Sequence, residues 1–305
     1  MILVTVIGTC SATVQARDTD ANYLRYSPGG RGRVMATIMR KVSLVVGLLF
    51  VFAVLASPSV AQERKSLIKE IQQKGELRVG YATADPHSSK DSATGQWKGD
   101  AVDIMEEWAK ELGVKHVAVD TSWDAMIAGL QAGKYDVAAA LNRRPARALV
   151  VTFSTPFTYD MGTFAVNRAK IKARTFEELD KKGVKVAVMM GTAEDKSLSR
   201  VAKNLEILRL PDQNEIRIAV QSGRAQGLFD DISGNAKFAQ ENKTIRLIIP
   251  DVPIMLEGIA FAIRQGYTHE DIQALDIMVE DFVNTGKEKA AQTKYGVVDA
   301  QQFTK

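Results

Sequence analysis

Three arginines, Arg143, Arg144 and Arg147, follow directly on the apolar run 137–141, and six residues after Arg147 comes Phe153-Ser154-Thr155-Pro156-Phe157. The run reads as a short buried strand, so the turn delivers guanidinium groups to a strand's carboxyl end, where α/β folds place their ligands. A guanidinium there is a forked partner for a carboxylate. The opposite charge stands at a comparable place, because Asp230 and Asp231 close the apolar run Gly227-Leu228-Phe229. Ala140 lies within the first run, Met189 and Met190 suit a pocket lining, and Glu194 and Asp85 are rim carboxylates. Plainer readings stay open beside these. Three arginines in one turn suit a solvated face, Asp231 can cap a helix through Ser233 and Asn235, and Trp123 can be a core residue at a helix start.

Other chemistry is scarce. His87, His116 and His269 are scattered without metal-ligand spacing, so no metal is assigned. There is no G-x-S-x-G, no H-E-x-x-H and no phosphate-binding glycine loop, and no cofactor is expected.

With 46% hydrophobic and 25% charged residues in a chain of 305, neither a disordered nor a fibrous protein fits. The first 61 residues are set apart by pattern. Arg40 and Lys41 precede an uncharged apolar run, 42–56, and then Ser57-Pro58-Ser59-Val60-Ala61, the three regions of a secretory signal with cleavage expected after Ala61. The apolar run is short for a membrane span, which needs about 20 residues. Residues 1–34 read as an upstream leader from a mis-start of translation, since Met35 and Met39 both stand just before the signal.

Of 40 Lys and Arg the first 61 residues hold six, and of 36 Asp and Glu they hold two, which leaves 34 of each sign. The net charge of +4 therefore belongs to the leader, and no nucleic-acid partner is expected. The single cysteine, Cys10, also falls there, so the mature chain offers no disulfide, thiolate or lipid-attachment site. A periplasmic address and an ordinary hydrophobic core are expected.

Downstream the pattern alternates. A helix over 66–74 stops at Gly75; strand 76–81, an amphipathic helix over 101–112, strand 116–119, a helix from Ser122 to Gly133 and strand 137–141 follow. A second cycle runs through a capping box at Thr175-Phe176-Glu177-Glu178, strand 184–189, a helix from about 195, strand 205–210, a helix over 215–222, strand 227–229 and strand 244–249. Strand 258–262 and a long helix carrying Ile272, Leu275, Met278, Val279 and Phe282 on its inner face end the reading. Two βαβ cycles predict two parallel α/β lobes with right-handed crossovers. No long Pro/Gly/Ser linker separates them, so short crossing strands are expected as hinges, and such a molecule closes over its ligand.

The order of several short motifs resembles the family of periplasmic solute-binding proteins for polar amino acids. They are Glu76-Leu77-Arg78-Val79-Gly80, the Gly95, Gly99 and Val102-Asp103 stretch, Gly133-Lys134-Tyr135-Asp136, Arg147 with Phe153 to Phe157, Gly191-Thr192, Gly223-Arg224-Ala225, and Asp231. The resemblance implies an α/β, two-lobed periplasmic binding protein fold (type II), each lobe a sheet flanked by helices, joined by two hinge strands. It implies lobe 1 over 62–157 and 258–305, lobe 2 over 163–252, and hinges at 157–162 and 253–257. It further implies that Arg147 grips an α-carboxylate, helped by Asn142 and the amides at Gly191 and Thr192. Asp231 would take the α-ammonium, Trp123 would cover the ligand, and Ala140, Met189, Asp230 and Glu194 would complete the pocket.

The expected function is capture of an amino acid or similar small carboxylate by a monomer that delivers it to an inner-membrane ABC permease. An enzyme of the same fold acting on cyclic acids, or an accessory subunit of a periplasmic system, are the alternatives. The chain departs from the family pattern where Arg144 replaces a threonine, Ala146 an acidic residue, Asn142 a hydroxyl and Asp100 an aromatic residue, and loop 83–87 lacks its usual aromatic. These departures leave the ligand's identity open.

Overall fold

The computed structural model describes residues 65–303. The expected leader, the expected secretory signal with its cleavage site, and Cys10 lie outside the described residues. Helix α1 (Leu67–Lys74) begins where Ser66 accepts a hydrogen bond from the Lys69 amide, buries Leu67 and Ile71, and stops at Gly75, whose φ of 70° needs no side chain. After it come β1 (Glu76–Tyr81), a small hairpin of β2 (Ser89–Lys90) and β3 (Trp97–Lys98), α2 (Asp100–Glu111), β4 (Lys115–Asp120), α3 (Met126–Gln131) and β5 (Val137–Asn142). Next are α4 (Pro145–Ala148), β6 (Val151–Phe153) and the ten-residue strand β7 (Thr158–Asn167).

The second cycle holds α5 (Phe176–Leu179), β8 (Lys185–Met189), α6 (Ala193–Val201), β9 (Glu206–Leu210), α7 (Gln213–Gln221), β10 (Gly227–Asp231), α8 (Ile232–Glu241) and β11 (Ile245–Ile248). The chain then returns through β12 (Leu256–Arg264) to α9 (His269–Asn284), α10 (Lys287–Tyr295) and a 3₁₀ turn.

These strands form two half-sheets that share one path, β4-β1-β5-β12-β7-β10-β8-β9, with β6 on β12 and β11 on β7. The pairs β1–β4, β1–β5, β8–β9 and β8–β10 are parallel, as the alternation of strand and helix requires. β7 and β12 run antiparallel to their neighbours and carry the chain across. The first residues of β7 pair with β12 from Thr158↔Ile259 to Met161↔Leu256, and its later residues pair with β10 and β11. A two-lobed α/β fold results. The first lobe packs Val79, Ile104, Trp108, Phe261 and Val279 between its sheet and α1, α2 and α9. In the second, Phe164, Val188 and Phe229 fill one face of the sheet, and Ala187, Ile216 and Leu228 the other.

Three local features differ from the sequence reading. The third helix starts at Met126 rather than Ser122, because Ser122 spends its hydroxyl on the Asp124 carboxylate and Ala125 occupies the cap. The long inner-faced helix buries Leu275, Val279 and Phe282, with Ile272 and Met278 only partly covered. Elements α4, β6 and α10 carry no strong periodicity and were not anticipated; α10, whose buried residues are Glu288 and Ala291, is amphipathic in neither period.

Candidate functional site

A narrow cleft lies between the lobes. Ala84 and His87, following β1, line it with Trp123 before α3, Ala140 and Asn142 from β5, Arg147 from α4 and Ile259 from β12. Facing them are Met189 at the end of β8, Thr192, Ala193 and Glu194 at the start of α6, and Asp230 and Asp231 ending β10, with Asp160 on the crossing strand β7. Strand ends and helix starts converge here because parallel strands in both lobes point their carboxyl ends at the gap.

Arg147, Asp231, Asn142, Trp123, Thr192, Ala140, Met189, Asp230 and Glu194 thus come together in one cleft. Gly191 does not. Its N–H donates to the Asp195 carboxylate at 3.2 Å, and its φ of 79° serves the turn into α6. Met190 also points away and is 44% exposed.

Each lining residue has a defined setting. Arg147 donates through Nη1 to the Asn142 carbonyl at 3.1 Å, and burial lowers its pKa against the pull of the Glu194 charge. Asn142 itself keeps Nδ2 buried and without a partner. Thr192 caps α6, its Oγ1 accepting from the Asp195 amide and donating to the Met189 carbonyl. Asp231 caps α8 by accepting from the Gly234 amide at 2.7 Å, so it is both a cap and a cleft residue. Trp123 donates its indole N–H to the Thr83 carbonyl at 3.0 Å and packs against core residues of both lobes. Ala140 takes φ 55°, unusual for a residue with a Cβ, beside a register shift between β5 and β12.

The electrostatics are dominated by carboxyl groups. Burial pushes Asp160 and Asp230 well above the ordinary carboxylate range and raises Glu194 and Asp231, and the mutual repulsion of these groups adds to the shift in Asp160, Asp230 and Glu194. Asp160 is 3% exposed and its Oδ1 has no hydrogen-bond partner. Among the described residues no group of three or more His, Cys, Asp or Glu is arranged to hold a metal ion.

Two ionisable cleft residues escaped the sequence reading, besides the apolar Ala84, Ala193 and Ile259. His87 was set aside for want of metal-ligand spacing, yet its Nδ1 lies 3.0 Å from both carboxylate oxygens of Asp100, a fully buried residue. Burial opposes the charge on His87, but Asp100 overrides it and the imidazole is raised to about 10. The aspartate in place of an aromatic was the available signal. Asp160 lay in a stretch read only as a hinge.

With this geometry in hand, comparison with known proteins decides the family. The model of the bacterial extracellular solute-binding proteins, family 3, matches residues 77–297. The chain belongs to that family. A probable amino-acid ABC transporter periplasmic-binding protein of Sinorhizobium fredii is 26% identical over 247 residues, 77% of this chain and 74% of that protein. The cyclohexadienyl dehydratase of Pseudomonas aeruginosa is 29% identical over 190 residues, 61% of this chain and 70% of that enzyme. A solved ancestral amino-acid-binding protein, described as a precursor of cyclohexadienyl dehydratase, superposes with a TM-score of 0.69 at 32% identity and covers 75% of this family 3 chain and 99% of its own. Family 3 proteins are solute-binding, and among the described residues no helix is long and apolar enough to cross a membrane.

Proposed function

We propose that the cleft holds one free amino acid with a cationic side chain and that closure of the two lobes over it produces the form delivered to an ABC importer. The observation that carries this reading is the placement of Arg147 and Asp231 on opposite walls of one cleft. Arg147 offers its remaining donors to the α-carboxylate, and Asp231 accepts from the α-ammonium. Asn142 Nδ2, buried and unpartnered, supplies a further donor to the carboxylate, and Trp123 covers the ligand's stem. The pull toward a cationic side chain comes from surplus acid. Asp160, Glu194 and Asp230 share the cleft with Arg147 and with His87, whose charge Asp100 already balances, and Arg217 acts on Asp230 from outside the lining. A second positive group on the ligand compensates them.

Isothermal titration of the purified protein with lysine, arginine, glutamine and glutamate tests the reading, with binding expected for the first two. Arg147→Ala removes one partner of a desolvated pair, a loss of about 2–5 kcal/mol, or about 30-fold or more in affinity. Undiminished affinity in that variant would overturn the assignment.

A second reading rests on Glu194. Its carboxyl is buried, held toward the protonated form by desolvation, and close enough to Arg147 for their charges to interact. A proton donor beside a carboxylate grip is what acid-catalysed loss of water from a cyclic acid requires, and one relative carries the name of a dehydratase. Against it, Asp231 has no counterpart on a substrate without an ammonium. Spectrophotometric turnover of prephenate decides between the two.

A further inference from the structure

Two polar clasps cross from lobe to lobe on either flank of the cleft, and neither Arg144 nor Asp85, the residues at their centres, lines it. Arg144, between β5 and α4, uses all three guanidinium nitrogens. Its Nη1 donates to the Ala193 carbonyl at 3.1 Å, its Nη2 to Ser197 Oγ at 2.7 Å, and its Nε lies 2.8 Å from Glu257 Oε1. Ala193 and Ser197 sit on α6 of the second lobe, and Glu257 on the crossing strand β12. On the other flank Asp85, just after β1, is 2.7 Å from Lys237 Nζ of α8 and 3.8 Å from Arg217 Nη1 of α7. Its backbone N–H donates to Gln213 Oε1 at 3.0 Å, and Gln213 Nε2 also donates to Asp230 Oδ2, inside the cleft, at 3.0 Å.

We propose that Arg144 and Asp85 are positioning residues that hold the lobes shut, and so set the protein's affinity and its rate of ligand release without touching the ligand. The inference rests on the reading that the ligand is enclosed by closure. The contacts of Arg144 with Ala193 and Ser197, and of Asp85 with Lys237, Arg217 and Gln213, join the two lobes, so they are made in the closed form and broken when the lobes part, while Glu257, beside β5 in the same ladder, stays with Arg144 and orients it. When the closed form is only a fraction of the population, apparent affinity scales with that fraction. Arg144 is the better placed of the two. Its side chain is 15% exposed against 37% for Lys237, so its contacts across the gap are less open to water and salt than that of Lys237 with Asp85. The chemistry also explains the sequence departure at this position. A threonine is too short to reach across the gap to Ser197, whereas an arginine spans it and has a donor for each acceptor.

The test compares the wild-type protein with Arg144→Gln and Lys237→Ala by small-angle X-ray scattering without ligand and by stopped-flow binding of lysine or arginine. Each variant is expected to show a larger radius of gyration and a dissociation rate raised about 5- to 30-fold. The ratio of affinities for the two amino acids should stay as in wild type, which a residue touching the ligand would not allow. Unchanged scattering and unchanged dissociation in both variants would overturn the proposal, as would a shifted affinity ratio. If wild type binds neither amino acid, the functional reading fails while the scattering arm still decides the clasps. Should Arg144→Gln not fold, Ser197→Ala removes one acceptor of the same clasp and takes its place.

Discussion

Asp160 shows what a single residue can decide in this cleft. It is buried on the crossing strand with one oxygen lacking any partner, an arrangement costly to the unliganded protein. The His87 charge offsets its own in part, and a positive group on an entering ligand offsets it further. Asp160→Asn should therefore lower affinity for lysine or arginine about 10-fold or more while affecting glutamine far less, as read by calorimetry. Equal loss for charged and neutral ligands would place the ligand's second cation elsewhere. Legibility at this scale followed position in the strand pattern. Arg147 and Asp231 were singled out because one stands in the turn after an apolar run and the other ends one, and because the family resemblance gives both a role. Asp160 and His87 were not, since their meaning comes from partners in distant parts of the chain: the carboxylates of β10 and α6 for one, Asp100 for the other.

At the scale of elements, most boundaries follow from local chemistry, and the exceptions have tertiary causes. Ser66, Thr192, Asp212 and Asp231 each accept from an amide in the first turn of the helix they open, and polar residues before apolar periodicity announce such starts. Strand β7 was harder to read. Only its apolar part, around Phe164-Ala165-Val166, looked like a strand, because Thr158 to Thr163 mixes Thr, Asp and Gly with Tyr159 and Met161 and shows no clean period. Within it, Gly162 is forced by packing. A Cβ there would stand 2.3 Å from the Phe229 ring, which is buried against the same strand. Gly162→Ala should cost about 1–3 kcal/mol in urea unfolding, through overpacking of a residue that cannot move aside. A cost below about 0.5 kcal/mol would show the ring free to shift.

For the whole molecule, buried charge makes stability depend on pH. His87 is raised from 6.5 to about 10, so its contribution is fully present below about 6.5 and is lost as pH rises through 10. Glu288 of α10 is raised from 4.5 to about 8 by burial and by the charge of Asp100, so keeping it ionised costs stability increasingly between those values. Both effects have one sign. The melting temperature of the ligand-free protein should fall by about 5 °C or more between pH 5.5 and pH 9.5, and His87→Gln should flatten the upper part of that curve. A flat profile in wild type would show that His87 titrates as it would in water. At this scale the lobes and their order were legible from two strand–helix cycles. The contacts between lobes were not, since Arg144 and Ser197 are 53 residues apart and their meeting depends on how far the cleft closes.

The crossing strands give Asp160 a mechanical character that no wall residue shares. When two bodies turn about a common axis, each atom travels in proportion to its distance from that axis. On the proposed closure the axis is the ribbon in which Asp160 pairs with Glu257, while Arg147, Glu194 and the contacts of Arg144 and Asp85 with the second lobe's helices stand off to its sides. A ligand held at the fulcrum keeps that attachment after the outer grips have swung away. On the proposed function, departure from the open molecule then has an order, outer contacts first and Asp160 last, ending with one buried carboxylate taking back a proton.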